Sequence, residues 1–463
     1  MASEETPLIS DQNARDHEAV YARFSPGHKR VITAITALVG TFPMYASGSF
    51  VPLIPQIARD LNSTGSVVSL AVSLSVLANA IGSLTWASYS GFYGRRPILL
   101  LSMFTLAIAS IGSGAANTIA SLLIWRVIQA FGAASGLSVG IAVLADIYKM
   151  EERGTASGAF FGAILFGMAL APTIAGFSAH LWSWRTTQYQ LFWAGSLAFI
   201  LTYAFQPETS QPGTRGIDKL VEKEGRTRWV WLNPFSNIAL LRSPNVLFVS
   251  LAQGFVVITD YALLIPIAYT FGAKYGITNE AIIGALCIPV GLGNIIGSTG
   301  AGRYSDRLIV SLRKSRGGVW IPEDRLRATL FGGIVLTPLS ILVSGIATQF
   351  MEGRVSMIIN FVCLVANGLG VSIVFNPANA YLVDILHHQS AQVTSANMAV
   401  RCVVIAFFVG FIMPSLEAFG VAITFAGAAV LSWLGYGLII LVILYGGRMR
   451  AWVNLGFTDQ QPN

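Results

Sequence analysis

Apolar residues dominate long stretches of the chain, and polar positions gather in short gaps between them. The runs fall at 31–57, 65–87, 97–116, 119–145, 155–179 and 189–206, then at 245–271, 280–301, 328–348, 355–384, 394–415 and 420–446. Each is near the length of about 20 residues that an α-helix needs to cross a bilayer core. Inside a bilayer every backbone N–H and C=O must find a partner within the protein, so only helices and closed barrels can span it. Barrel strands need about 10 residues of alternating polarity, and these runs are longer and unbroken. The pattern therefore predicts an all-α membrane protein of about twelve transmembrane helices.

Composition agrees with that pattern. Of 463 residues 54% are hydrophobic and 11% charged, with a mean hydropathy of +0.64. A soluble domain carries about 25% charged residues, so the apolar surface must face lipid. The net charge of +7 does not point to nucleic acid, because Lys and Arg sit beside the apolar runs and alternate by loop. One set of loops holds Lys29, Arg30, Arg95, Arg96, Lys149, Arg153, the cations of the middle loop, those that follow span 8, and Arg448 and Arg450. The other set holds little beyond Arg59, Arg185, Lys274 and Arg354. The positive-inside rule then places both termini and the long loops in the cytoplasm, which requires an even number of spans. Residues before Lys29 are polar and acidic and do not read as a cleavable signal peptide, so the first run serves as an uncleaved anchor.

The longest gap divides the chain. The predicted organisation is a cytoplasmic tail at 1–30, a six-helix bundle at 31–206, a cytoplasmic linker at 207–244, a second six-helix bundle at 245–447 and a tail at 448–463. Trp229, Trp231 and Phe235 near the linker's end suit the headgroup level. The halves repeat each other. Ala87-Ser88-Tyr89-Ser90-Gly91-Phe92 follows span 2, and Gly302-Arg303-Tyr304-Ser305-Asp306-Arg307 follows span 8. Leu144-Ala145-Asp146-Ile147 and Leu382-Val383-Asp384-Ile385 close spans 4 and 10. Two matched six-span halves are the architecture of transporters that bind cargo at the midplane between them.

These motifs carry a resemblance. Gly91-Phe92-Tyr93-Gly94-Arg95-Arg96-Pro97 resembles the loop 2–3 signature of the major facilitator superfamily. Arg126, Gln129 and Gly132 in span 4 look like its second signature, and Gly167, Pro172 and Gly176 in span 5 like the signature associated with antiporters. Arg153-Gly154, Trp184-Arg185, Pro207-Glu208-Thr209 and Pro322-Glu323-Asp324-Arg325-Leu326 extend the match. The whole is similar to fungal twelve-span drug:proton antiporters and metabolite exporters. The resemblance implies two pseudo-symmetric six-helix bundles, a monomer without cofactor, and export of a small organic molecule such as an organic acid, secondary metabolite or drug in exchange for protons. An uncoupled facilitator or importer on the same fold is the alternative. Gly91 stands where the signature usually has Asp, and Ala171 where the antiporter signature has Gly before its Pro.

Several polar residues fall inside the spans. A charge there is costly and marks function by default. Arg126 in span 4, with Gln129 one turn on, is a candidate for anion binding, or for a fixed hydrogen-bond hub between helices. Asp260, in the middle of span 7, is a candidate proton carrier or substrate contact. Arg401 in span 11 is a second anion-binding candidate, or a partner for Asp260. Asn376, Pro377 and Asn379 interrupt span 10, where proline frees a backbone carbonyl and the amides can face a cavity. At the cytoplasmic ends, Arg95, Arg96, Asp146 and Arg153 in the first half and Asp306, Arg307 and Asp384 in the second are candidates for a charge latch.

The rest excludes or qualifies. Cys287, Cys363 and Cys402 lie far apart in apolar runs, which is neither a disulfide framework nor a metal spacing. No ligand cluster or nucleophile motif points to an enzyme. Asn62-Ser63-Thr64 is a possible glycosylation site outside. Glu4-Glu5-Thr6-Pro7-Leu8-Ile9 resembles an acidic dileucine sorting signal, which keeps a vacuolar membrane as the alternative to the plasma membrane.

Overall fold

A computed structural model describes residues 21, 23–148, 150–210, 215–225, 228–317, 319, 321–386 and 390–453. The side chains of 150–155, 157–159, 165, 169, 236, 237, 306, 390 and 391 lie outside that description. The Glu4–Ile9 string therefore falls outside it, as do the side chains of Arg153 and Asp306.

The described chain is helical from end to end. Span 1 is Pro26–Gly48, continued by a 3-10 turn at Val51–Leu53 and a helix at Ile54–Asp60. Spans 2 and 3 are Gly65–Tyr93 and Arg95–Gly114. Span 4 is Ile119–Ala133 followed by Ser135–Ile147, and spans 5 and 6 are Met150–Leu181 and Trp184–Phe205. Span 7 is Pro244–Leu264 with a π-helical turn at Ala268–Gly272. Span 8 is Glu280–Ala285 and Ile288–Ser315, and span 9 is a π-helical turn at Gly332–Leu336 running into Thr337–Phe350. Spans 10, 11 and 12 are Gly353–Ile385, Ser390–Phe419 and Val421–Trp452.

Eleven of these are long and apolar enough to cross a membrane. Span 6, at 22 residues, has the length, but Arg185, Gln188 and Gln190 in its first two turns dilute its apolarity. It packs into the first bundle beside span 3, with Trp193, Leu197, Ile200 and Tyr203 exposed along one face. Phe407 and Phe411 make a similar exposed face on span 11. Apolar faces left uncovered on this scale mark a membrane surface.

The helix starts are written locally. Thr64 Oγ1 accepts from Val67 N at 3.3 Å, Thr118 Oγ1 from Ser121 N at 3.3 Å, and Asn279 Oδ1 from Ala281 N at 2.8 Å. Each satisfies a donor that the first turn leaves open. Successive spans run in opposite directions, so the linker and the ends of spans 1 and 12 share one side, the linker end. The loops at 61–64 and 181–184 lie at the far end.

The cores show how the halves meet. One hydrophobic cluster joins both: Phe50, Ile54, Val68, Val72 and Trp184 of the first half pack with Ile258, Leu263, Phe271, Ile283, Ile405 and Val409 of the second. It lies toward the far end. Toward the linker end each half has its own core. Ile32, Trp86, Ile98, Met103 and Ile147 form one, and Val246, Leu326, Val374, Leu382, Val393 and Ile439 form the other. The linker ties to both. It holds a helix at Gly216–Glu224 and a 3-10 helix at Pro234–Arg242. Leu232 packs on the first core, and Leu240 belongs to the second. Trp229 stacks on Tyr93 at 5.2 Å, and Trp231 remains exposed.

Candidate functional site

Span 4 turns its polar face inward. Arg126 is 1% exposed and Gln129 fully buried. Three residues apart on a helix, they are neighbours, and Arg126 Nη1 donates to Gln129 Oε1 at 2.6 Å. Arg126 Nη2 reaches the Ala46 carbonyl of span 1 at 3.1 Å, and the guanidinium lies 4.4 Å from the Phe50 ring centroid. Gln129 Nε2 donates to Ser110 Oγ of span 3 at 2.8 Å and to Gln188 Oε1 of span 6 at 3.1 Å. One guanidinium and one amide thus join spans 1, 3, 4 and 6.

The second half holds two polar networks. In the first, Asp260 Oδ1 accepts from Asn367 Nδ2 of span 10 at 2.7 Å, and Oδ2 from Asn294 Nδ2 of span 8 at 3.4 Å. Ser340 Oγ of span 9 donates to Asn367 Oδ1 at 3.1 Å, and Ser372 Oγ to Asn294 Oδ1 at 2.8 Å. The serines occupy the amide oxygens, which turns both NH₂ groups toward the carboxylate. In the second network, Gln253 of span 7 donates from Nε2 to Asn379 Oδ1 at 3.2 Å. Asn397 Nδ2 of span 11 donates to Gln253 Oε1 at 3.0 Å and to Asn379 Oδ1 at 2.9 Å. Arg401 Nη1 approaches Gln253 Oε1 at 3.5 Å, with its guanidinium 4.6 Å from the Phe375 ring centroid.

This arrangement corrects one expectation. Arg401 is no partner for Asp260, whose oxygens face amides, while Arg401 faces Gln253 and Phe375. Asn376 and Asn379 also part company. Asn376 Nδ2 binds Ser298 Oγ of span 8 at 2.9 Å, and Asn379 joins the Gln253 network. Span 10 passes through buried Pro377 as one continuous helix.

The linker end carries matching ion pairs. Arg95 Nε meets Asp146 Oδ2 at 3.0 Å, joining the start of span 3 to the end of span 4. Arg325 Nε meets Asp384 Oδ2 at 2.7 Å, joining the approach to span 9 to the end of span 10. These are equivalent stations in the repeat. The second correction lies here: Asp384 takes Arg325, and Arg307 is exposed on span 8. Among the described residues Arg96 pairs with no acid side chain either, and its Nη2 donates to the Tyr203 carbonyl at 2.7 Å. Glu208 caps span 3 instead, accepting from Arg95 N at 2.9 Å and Arg96 N at 3.2 Å. Its counterpart bond, Arg450 Nη1 to Glu323 Oε1 at 2.5 Å, ties span 12 to the approach to span 9. Gly91 sits in open space, and the Arg95–Asp146 pair forms without a carboxylate there.

Polar contacts between the halves gather toward the far end, with Ser73 Oγ of span 2 donating to the Ala406 carbonyl of span 11 further in. Arg59 Nη2 meets Glu280 Oε1 at 3.1 Å, Ser66 Oγ donates to Glu417 Oε1 at 2.5 Å, and Asn279 Nδ2 lies 3.3 Å from His180 Nε2. Spans 5 and 8 approach backbone to backbone. A Cβ on Gly176 would strike the Glu280 carbonyl, and one on Gly284 would strike the Pro172 carbonyl. Two members of the antiporter-like signature, Pro172 and Gly176, therefore form the seam between halves, and Gly167 packs against Thr41 of span 1. Asn62 is exposed in the four-residue turn at 61–64 with φ +48°, and Thr64 beside it caps span 2.

Gln253, Asn294, Asn367 and Asn397 complete these networks, and sequence reasoning passed over them; Arg325 and Glu208 stood in the quoted motifs without an assigned role. The amides carried a signal, since a primary amide in an apolar run is costly unless paired.

Comparison with known proteins agrees with the geometry. Residues 36–409 match the model of the Major Facilitator Superfamily, and the chain belongs to that family of transporters. The MFS antiporter QDR3 of Candida albicans is 23% identical, aligning with 85% of this chain and 74% of its own length. Citrate exporter 1 of Aspergillus niger is 24% identical over 91% of this chain and 86% of its own. Among solved structures, the xylose transporter XylE from E. coli, in a partially occluded inward-open conformation, superposes with a TM-score of 0.66 at 15% identity, covering 90% of this chain and 99% of that one. This likeness is one of fold.

Proposed function

We propose that this transporter exports a small organic molecule by alternating access, in exchange for protons. One observation carries the reading. Asp260 lies mid-span, and among the described residues its oxygens are held by amides of spans 8 and 10 with no salt bridge to a cation. A carboxylate compensated only by neutral dipoles exchanges a proton without breaking an ion pair. As a carboxylate it accepts on both oxygens. Once protonated, one of those oxygens carries an O–H and accepts less well from the NH₂ group that faces it. Protonation therefore loosens the bonds that join span 7 to spans 8 and 10, which links charge state to helix packing.

The alternation follows from the cores. Residues 31–206 and 245–447 rock as two bodies about the contact near Gly176 and Gly284, with the linker at 207–244 spanning them. The arrangement joined at the far end and separate at the linker end is the state that loads from the linker side. The distribution of Lys and Arg makes that side cytoplasmic, with a monomer in the plasma membrane. The antiporter and exporter names of the relatives support the same direction.

The test uses purified protein in liposomes with an imposed pH gradient and radiolabelled organic acids, polyamines and drugs. Uptake driven by the gradient in wild type and lost in Asp260→Asn supports the reading. Flux indifferent to the gradient in both proteins leaves an uncoupled facilitator.

A further inference from the structure

Arg126 and Arg401 lie well inside their spans, away from the helix ends, and they differ in what surrounds them. Arg126 is enclosed and committed. Both its Nη atoms hold protein oxygens, and a ring covers its face. Arg401 is neither. It stands on the face of span 11 that turns away from lipid: Val403, Phe407 and Phe411 are the exposed stripe, and two residues of helix rotate Arg401 about 200° from Val403. Its single hydrogen bond among the described residues is the 3.5 Å approach to Gln253 Oε1. That oxygen already accepts from Asn397, and Asn379 Oδ1 already accepts from both Gln253 and Asn397. Asn379 Oδ1 thus has both lone pairs filled, and Gln253 Oε1 has one left, for Arg401 Nη1, so among the described residues Nε and Nη2 have no amide partner. Phe375 covers one side of it, and the residue remains part-exposed. Its Nε and Nη2 donors are not enclosed as the Arg126 Nε is.

A cation inside a membrane protein needs a counter-charge or full hydrogen bonding. Among the described residues Arg401 has neither, and Asp260, the carboxylate in the middle of span 7, is committed to Asn294 and Asn367. We infer that the counter-charge comes with the cargo: Arg401 is the binding group for an organic carboxylate, seated on the Gln253–Asn379–Asn397 platform beside Phe375. A guanidinium presents parallel N–H groups that match the two oxygens of a carboxylate. Phe375 fixes the plane of the fork, and the amide cluster fixes its position. This inference rests on the transporter reading above and narrows its substrate to anions.

The experiment measures binding apart from transport. Purified protein in detergent is titrated with benzoate and succinate, each against its uncharged amide, benzamide and succinamide, and thermal stability is read. Saturable stabilisation by the acids, absent with the amides at equal concentration, is the expected result. Arg401→Gln is expected to weaken acid binding roughly ten- to a hundredfold, the scale of a lost charged hydrogen bond. Arg401→Lys, which keeps the charge and loses the fork, is expected to lie between and still prefer acid to amide. Equal response to acid and amide, no response of wild type to either acid, or undiminished acid binding by Arg401→Gln overturns the proposal. If Arg401→Gln does not fold, the wild-type comparison and Arg401→Lys decide. Proton exchange is scored separately in liposomes. Carboxylate flux that ignores the pH gradient defeats the exchange reading and leaves this site standing. Gradient-driven flux of a neutral or cationic cargo, with no acid binding, does the reverse.

Discussion

Asn367 Nδ2 donates to Asp260 Oδ1 across 2.7 Å, and this bond between spans 10 and 7 is the short one of the two that hold the carboxylate. Ser340 fixes the amide's orientation from the other side. Removing Asn367 leaves a part-buried carboxylate on one long bond. Asn367→Ala is expected to lower stability by about 1–3 kcal/mol, the scale for a charged group inside the fold losing a donor. In Asp260→Asn the loss should be smaller, because the group left behind is neutral. Thermal melts of the two single variants and the double variant measure the coupling, and strictly additive losses would contradict it.

Arg126 is expected to matter for stability and not for selectivity. Arg126→Gln strips a donor from Gln129 and from the Ala46 carbonyl in a site that admits no solvent. A drop of about 1–3 kcal/mol with an unchanged preference between cargoes is the predicted outcome. A changed cargo preference in flux competition would return Arg126 to the binding site.

The paired stations Arg95–Asp146 and Arg325–Asp384 should behave alike. Each side chain is 15–22% exposed, so solvent screens part of the attraction and each pair contributes about 1 kcal/mol. Double-mutant cycles in the two halves are expected to give similar coupling, and the reversal Arg325→Asp with Asp384→Arg should restore part of the loss. The same cycle run on Arg307 and Asp384 should give none.

The seam between spans 5 and 8 admits no side chain at Gly284. Gly284→Val places carbons against the Pro172 carbonyl and should keep the far end from closing. A cysteine at Thr173, whose hydroxyl donates to the Gly284 carbonyl at 3.4 Å, is then expected to react faster with a membrane-impermeant maleimide from the far side. The native cysteines are buried and give little background. Unchanged labelling would place the moving contact elsewhere.

Much of the fold was legible in the chain because lipid removes the usual ambiguity. A run of apolar residues of spanning length can only be a helix, and Thr64, Thr118 and Asn279 mark where helices start. Span 6 was harder to read, since Arg185, Gln188 and Gln190 thin out its apolar character. The site was legible one residue at a time and illegible in pairs. Asp260, Arg126 and Arg401 stood out as isolated charges in apolar surroundings. Their partners come from other spans, and spacing along the chain says nothing about which helices meet. Asp306, Arg307 and Asp384 stand together as latch candidates in the sequence, with no mate assigned to Asp384. The mate that the fold supplies is Arg325, which occupies the station of Arg95. Asn294 and Asn367 drew no attention for a related reason: an amide within a span gains its meaning from what it faces.

Proton exchange through Asp260 is the central claim, and substrate-driven proton movement tests it most directly. The protein is sealed in liposomes with a pH-sensitive dye, with no gradient imposed, and a transported cargo is added to one side. Wild type is predicted to move protons against the cargo. Asp260→Asn is predicted to move none, while still exchanging labelled for unlabelled cargo. Proton movement preserved in Asp260→Asn, or absent from a wild type that carries the cargo, would contradict the account.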